Sequence, residues 1–302
     1  MIKFGFASSL LKIVSRAQWR CFLPEKLLYW RGPLKIGSLT GSLPQENIQG
    51  IGWQLPENSN QVWSNSKTLR LWQKFLLELY HEKIRIIGLD CATSFIPPLA
   101  LRNQASFPGI SDGKALELLL FINRFRNILR NYEITPQKAK ALIIWEEGNL
   151  GVTCARLIAR EVRFLTLVSP NERSLEKAAE VIFAETGISA QIYLTPPEDL
   201  RGTRIVIKCG SLSKLQLVRN SKRVLWYELF QKCPSLPSMN VDLPLVARSK
   251  YGDLPLYPAL GEAIIRSRFD LIYGFWYGSE LPLERVIKLA ICFRELGREI
   301  AV

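Results

Sequence analysis

The chain of 302 residues is short of several things. It has one histidine, His81, so no pair of histidines can hold a metal, and a histidine-driven triad is not expected. Its six cysteines include no C-x-x-C pair: Cys21, Cys91, Cys154, Cys209, Cys233 and Cys292 stand far apart. That spacing gives no zinc motif or disulfide framework, and reduced thiols in a cytoplasm are expected. The longest apolar runs, such as 118–122, are far too short to span a bilayer. No repeat or low-complexity tract interrupts the chain, and no A-x-A-like site closes its basic, apolar N-terminus. The first residues read as a short strand and a helix, not as a targeting peptide.

What is present is ordinary globular material with an excess of positive charge. Hydrophobic residues make up 48% and charged residues 22%, which excludes a disordered chain. Forty Lys and Arg against 27 Asp and Glu leave +13. Such a surplus suits an acidic partner: nucleic acid, an anionic membrane, an acidic carrier protein or phosphorylated ligands. It does not select among them, and the absence of RNP, zinc-finger and helix-turn-helix patterns argues against nucleic acid.

The apolar pattern implies an α/β fold. Residues 35–41 and 83–88 read as strands, 67–80 and 114–131 as helices, and 97–110 as a loop. A break at Thr135-Pro136 separates two expected domains, 1–134 and 135–302. After it the rhythm is stricter. Residues 141–145 form a continuous apolar run, the mark of a strand buried on both faces. Strands at 164–168, 190–194, 204–208 and 223–226 alternate with helices at 152–160 and 174–186. This alternation predicts a Rossmann-like, doubly wound parallel sheet for the second domain. A last helix at 282–297 can pack back on the first domain.

Between the strand 141–145 and its helix lies Glu146-Glu147-Gly148-Asn149-Leu150-Gly151. A dinucleotide fold places its phosphate-binding turn there, where glycine lets the backbone approach the pyrophosphate. The same two glycines also suit close strand–helix packing in a fold that binds nothing, and both readings stay open. Three further residues stand near strand ends or helix starts, where α/β proteins hold reactive groups: Cys91, Cys209 and Lys114. The competing readings are inert buried thiols and a solvated helix-start lysine. His81 reads as a helix C-terminal cation.

These segments resemble a known family: the Rossmann proteins comprising aldehyde-forming acyl-[acyl-carrier-protein] reductases and shikimate dehydrogenase-like bacterial proteins. Matching stretches are 4–6, 33–36, a glycine–tryptophan turn at 50–53, 86–94, 110–115, 256–262 and, most closely, 148–157. The resemblance implies NADP or NAD as cofactor, held at Gly148, Asn149, Leu150 and Gly151 with Arg173 near the adenosine end. It implies an acyl-carrier protein or acyl ligand as partner.

The departures point the other way. The family's first glycine falls at Trp145, and Glu146 and Glu147 replace two small residues. Its arginine for a 2′-phosphate falls at Pro170, with Arg173 one turn on. Its nucleophilic cysteine falls at Ala259, which cannot form a thioester. The expectation is a homologue with impaired cofactor and catalytic sites. The alternative is an active reductase of an acyl thioester or other carbonyl compound, using a displaced nucleophile such as Cys91 or Cys209.

Overall fold

The computed structural model describes residues 3–8, 34–43, 46–54, 65–89, 108–197, 202–210, 212, 224–230, 246–249, 252–254, 258–271, 275–276, 278 and 280–297. Two compact units divide the chain. The first is 1–116, 235–277 and 295–298; the second is 117–234, 278–294 and 299–302. Thr135-Pro136 therefore lies inside the second unit, and a later insertion, 235–277, folds with the first.

The first unit is built on a mixed sheet. Its strands are β1 (Lys3–Ser8), β2 (Leu34–Leu43), β3 (Glu46–Gln54), β4 (Ile84–Leu89) and β5 (Gly109–Ser111). Three more come from the insertion: β11 (Val246–Ser249), β12 (Gly252–Leu254) and β13 (Phe275–Trp276). Their order is β12-β11-β2-β3-β1-β4-β5-β13, antiparallel as far as β3 and parallel from there on. Helix α1 (Asn65–His81) brings Leu71, Trp72, Phe75 and Leu79 to one side, as its 3.6-residue spacing requires. They pack with Trp53, Ile84, Ile87 and Leu89, the Trp53 and Phe75 rings meeting edge to face at 5.4 Å.

Two sequence expectations change here. Residues 50–53 belong to strand β3 and make no turn. Gly50 in that strand lies directly under the Phe4 ring, so glycine serves packing there. Ile110 and Ser111 belong to strand β5, and the chain turns only at Asp112-Gly113, before α2 (Lys114–Asn131). Helix α5 (Pro258–Arg268) covers the parallel strands. Pro258 to Ser267 of that helix are buried without exception, so the amphipathic pattern that marks a surface helix is missing.

The second unit is a five-stranded, all-parallel sheet. It contains β6 (Lys140–Trp145), β7 (Phe164–Val168), β8 (Gln191–Tyr193), β9 (Ile205–Cys209) and β10 (Leu225–Leu229). Their order is β10-β9-β6-β7-β8, so the first strand of the unit is central and later ones add on either side. That is the doubly wound order with its reversal between β6 and β9. Helices α3 (Leu150–Ile158) and α4 (Glu172–Thr186) connect the strands, and α6 (Leu283–Glu295) completes the unit. Leu142, Ile144, Val168, Val206 and Val224 form a core cluster, in line with the uninterrupted apolar run read from the sequence. Among the described residues no helix is long and apolar enough to cross a membrane.

Candidate functional site

The turn after β6 sits at the carboxyl edge of the parallel sheet and opens α3, the place the sequence assigned to it. Gly148 has φ +65°, a left-handed conformation that glycine takes without strain. Gly151 has a different reason to be glycine. A Cβ there would run into the Trp145 side chain, 2.6 Å from the Trp145 Cβ. Trp145 is 1% exposed, and its indole fills the space between the end of β6 and the first turn of α3. Glu146 is half-buried and Glu147 exposed beside it.

The polar groups of the turn face the protein's own chain. Asn149 is the N-cap residue of α3, but its side chain makes no capping bond. Its Oδ1 instead accepts from the N–H of Leu281. The Thr153 hydroxyl, one turn on, donates to the Leu281 carbonyl. Segment 280–282 is thus strapped across the first turn of α3, with Leu281 3% exposed. These residues do not fit a bound pyrophosphate well. The cap carboxamide is engaged, and two carboxylates adjoin the turn.

A cleft of about 730 Å³ opens next to the strap. Gly148, Asn149, Val152, Thr153 and Arg156 line one side, and Asn171, Arg173, Ser174, Lys177, Ala178 and Val181 the other. Glu280, Pro282, Leu283 and Glu284 close it. Asn171 caps α4 by accepting from the Ser174 N–H at 3.0 Å, and exposed Arg173 stands in that helix's first turn. Arg156 is tied to Glu185 through Nε and Nη2. The turn and Arg173, paired in the sequence reading, therefore share one cleft. No motif marks Lys177 or the strap in the sequence: the position of α4 beside α3 brings in Lys177, and the bonds of Leu281 to Asn149 and Thr153 bring in the strap.

The candidate reactive groups have distinct surroundings. Cys209 ends β9 and is buried, as is Cys154. The neighbouring Cys154 thiol first, then burial and the Glu117 carboxylate, push the Cys209 thiol well above its ordinary range. Thiolate, the nucleophilic form, is disfavoured there. The Glu117 carboxylate also accepts from the Phe230 N–H at 2.8 Å. Cys91 lies outside the described residues. Lys114 opens α2 with its ammonium 3.0 Å from the Asp112 carboxylate and its N–H on Asp112 Oδ1 at 3.2 Å. His81 ends α1, as expected.

The first unit also holds a buried polar knot that no sequence motif marks. Glu262 of α5 is fully buried. It accepts from the Ser111 hydroxyl at 2.5 Å and from the Leu116 N–H, in the first turn of α2, at 3.1 Å. Arg266, one turn along α5 and equally buried, donates to the carbonyls of Ile110 at 2.8 Å and Leu271 at 3.0 Å. Burial raises the Glu262 carboxyl to about 7, and Asp112 adds to the rise; Arg266, Ser111 and the Leu116 N–H oppose it. Gly113 has φ +79°, and a Cβ there would collide with the backbone of Pro258 and Ala259. Ala259 is buried at that contact. A Glu and an Arg four residues apart in the apolar run 258–268 were the available signal for the knot.

Strand order and the strand–turn–helix unit define a Rossmann-type α/β protein. No family model and no curated protein matches the chain. Solved structures it is similar to include ligand-free 5-ketofructose reductase of Gluconobacter sp. strain CHM43, at 12% identity and TM-score 0.32, covering 99% of this chain and 94% of that one. Another is quinate dehydrogenase from Corynebacterium glutamicum in complex with NAD, at 11% and 0.30, covering 68% and 70%. A chorismate mutase/shikimate 5-dehydrogenase fusion protein from Clostridium acetobutylicum aligns at 10% and 0.26, covering 69% and 67%.

Proposed function

We propose that this chain is a Rossmann-type, oxidoreductase-like protein, similar to NAD(P)H-dependent acyl-thioester reductases but with impaired cofactor and catalytic sites. The carrying observation is the strap at Leu281, which engages the Asn149 carboxamide and the Thr153 hydroxyl at the turn where a phosphate would be held. The adjoining carboxylates Glu146 and Glu147 and the buried Ala259 support the same reading. An active reductase with a displaced nucleophile finds no support at Cys209, whose thiol is closed and pushed up. Any nucleotide the protein retains is assigned to Gly148, Asn149, Leu150 and Gly151, with Arg173 toward the adenosine end, and an acyl-carrier protein or acyl ligand is the proposed partner class.

Titration with NADPH and NADH tests this. The parent protein is expected to show no saturable binding below millimolar cofactor. Glu146→Ala with Glu147→Thr removes the two carboxylates without touching the core and should tighten NADPH binding about tenfold, which is ~1.4 kcal/mol. Adding Trp145→Gly opens the turn further, with a melting curve to check that the core survives. Micromolar NADPH binding by the parent, or aldehyde formation from an acyl thioester, overturns the proposal.

A further inference from the structure

The excess of positive charge has no role in the reading above, yet part of it gathers at one place in the second unit. All five strands of that sheet are parallel, so their first residues share one edge, opposite the edge that carries the turn at Gly148. Three chain segments are stitched together there. The Arg163 N–H donates to the Pro136 carbonyl at 3.1 Å, Phe164 to Ala139 at 3.2 Å, and Arg204 to Lys140 at 3.1 Å. Lys140 pairs with Phe164 in the ladder. These bonds set Lys138, Lys140, Arg163 and Arg204 side by side across neighbouring strands.

Lys138, Arg163 and Arg204 are exposed and Lys140 is half-buried. Arg130 at the end of α2 and Arg160 just after α3 are exposed on the segments that flank them. The acidic residues of the same segments are Glu133 and Glu161, and Glu161 is bonded to Arg126 through Nε at 2.9 Å and Nη2 at 2.5 Å. No ion pair among the described residues reaches Lys138, Lys140, Arg163 or Arg204. Two large apolar groups stand out from these segments: Tyr132 is 60% exposed and Phe164 51%.

We propose that this amino edge is a docking surface for an acidic helical segment of a partner protein, held by Lys138, Lys140, Arg163 and Arg204, with Phe164 and Tyr132 as apolar anchors. The charge selects an anion. A second copy of the chain would present the same cations and be repelled. Spacing favours a helix: neighbouring strands are ~4.8 Å apart, and the Cβ atoms of acidic residues three or four apart on a helix are ~5–6 Å apart. Composition favours a protein, since Arg, Tyr and Phe are enriched in protein interfaces, whose cores exclude water from around such anchors. The inference is independent of whether the opposite edge binds a nucleotide.

The test uses the full chain and fluorescence anisotropy. The main probe is a labelled 21-residue helical peptide with glutamates on one face and leucines beside them. Comparison probes are a uridine 20-mer RNA and phosphatidylglycerol vesicles. The peptide is expected to bind at low salt, at least tenfold more weakly at 300 mM than at 50 mM salt. The triple variant Lys138→Glu, Arg163→Glu, Arg204→Glu should bind it at least tenfold more weakly. The pair Arg70→Glu, Lys74→Glu, exposed on α1 of the first unit, should bind like the parent. Phe164→Ser should lose at least threefold, including at high salt. If charge reversal prevents folding, Arg163→Gln with Arg204→Gln replaces the triple variant, with a threefold loss expected. No peptide binding, undiminished binding by the edge variants, or RNA or vesicle binding that is tighter and lost in those variants overturns the proposal.

Discussion

Each unit holds a glycine that a neighbour approaches too closely for any other residue, and the two neighbours differ in kind. At Gly113 the obstacle is backbone, Pro258 and Ala259 at the start of α5, and the glycine itself has φ +79°. At Gly151 the obstacle is a side chain, the Trp145 indole, and no positive φ is involved. The first contact is fastened by a polar knot: the buried Ser111 hydroxyl and the Leu116 N–H both donate to the buried Glu262 carboxyl. The second is fastened by apolar packing and a strap of two hydrogen bonds to Leu281. A backbone obstacle can be relieved only by moving a helix. A side-chain obstacle can be relieved by changing one residue, so the second unit's turn is the one that substitution can reopen.

The largest expected effect separates the two obstacles. Gly113→Ala combines a strained left-handed alanine, ~1–2 kcal/mol, with a backbone collision, and is expected to cost more than ~3 kcal/mol or abolish folding. Gly151→Ala overpacks against the indole and is expected to cost ~1–3 kcal/mol. Trp145→Gly, a cavity-forming change of ~3–5 kcal/mol when made alone, removes the Cβ, Cγ and Cδ2 that crowd Gly151 and should recover part of the Gly151→Ala loss when the two are combined. No side-chain trimming around Pro258 should recover Gly113→Ala. Urea denaturation of the singles and the double measures this, and equal rescue at both sites would erase the distinction.

The polar knot gives the second effect, with a sign that can be worked out. The Glu262 carboxyl is raised from 4.5 to about 7 in the folded chain, mainly by burial. Below about 4.5 both states hold the proton. Between there and about 7 only the folded state does, so stability falls as pH rises through that window and levels off above it. The full swing is roughly 3 kcal/mol at 1.36 kcal/mol per unit. Glu262→Gln keeps a group of the same shape and should flatten this slope between pH 5 and 7. Urea midpoints at each pH provide the check; an unchanged slope in the variant would place the titrating group elsewhere.

The same contrast explains what the sequence made legible. In the second unit, strands at 164–168 and 205–209 and the helix ending at 186 fall within a residue or two of the readings made from apolar runs alone. Buried parallel strands carry no polar alternation to confuse them. The first unit was harder for two reasons. Gly50 in β3 serves packing under Phe4, although the glycine–tryptophan stretch 50–53 resembles a turn. Helix α5 is buried all round, so it has no amphipathic period to find. At the candidate site, the Gly148 and Gly151 turn was read from its place between a strand and a helix, and Arg173 only from the family resemblance, whereas the strap had no signal: Leu281 reaches Asn149 across 132 residues, a pairing no local pattern records. The basic edge was visible only as a net charge until the ladder brought 138–140, 163 and 204 together.

A smaller effect tests the strap. Thr153→Val removes the hydroxyl that donates to the Leu281 carbonyl while keeping its shape, and Asn149→Ala removes the acceptor of the Leu281 N–H. Each is expected to cost about 1–2 kcal/mol, because Leu281 is buried and its backbone groups lose their partners. Amide exchange should quicken at Leu281 in Asn149→Ala and leave β6 protected. Uniform quickening across the unit would mean the strap is not a separable element.

The smallest effect comes from the cleft wall. Arg156 holds Glu185 through two of its nitrogens, and that hydrogen bond lowers the Glu185 carboxyl from its ordinary value while partial burial works against it. A depressed carboxyl stabilises the fold above its unfolded value, and the contribution is lost as pH falls through the folded one. The window therefore lies below about 4.5, opposite in sign and range to that of Glu262. Both side chains are partly exposed, so solvent screening leaves the pair at a few tenths of a kcal/mol. Arg156→Gln should shift the neutral-pH urea midpoint barely at all and remove only the acid limb below 4.5. A loss above 1 kcal/mol at pH 7 would show that Arg156 also organises the cleft, and would carry the comparison of the two units from their glycines to their charges.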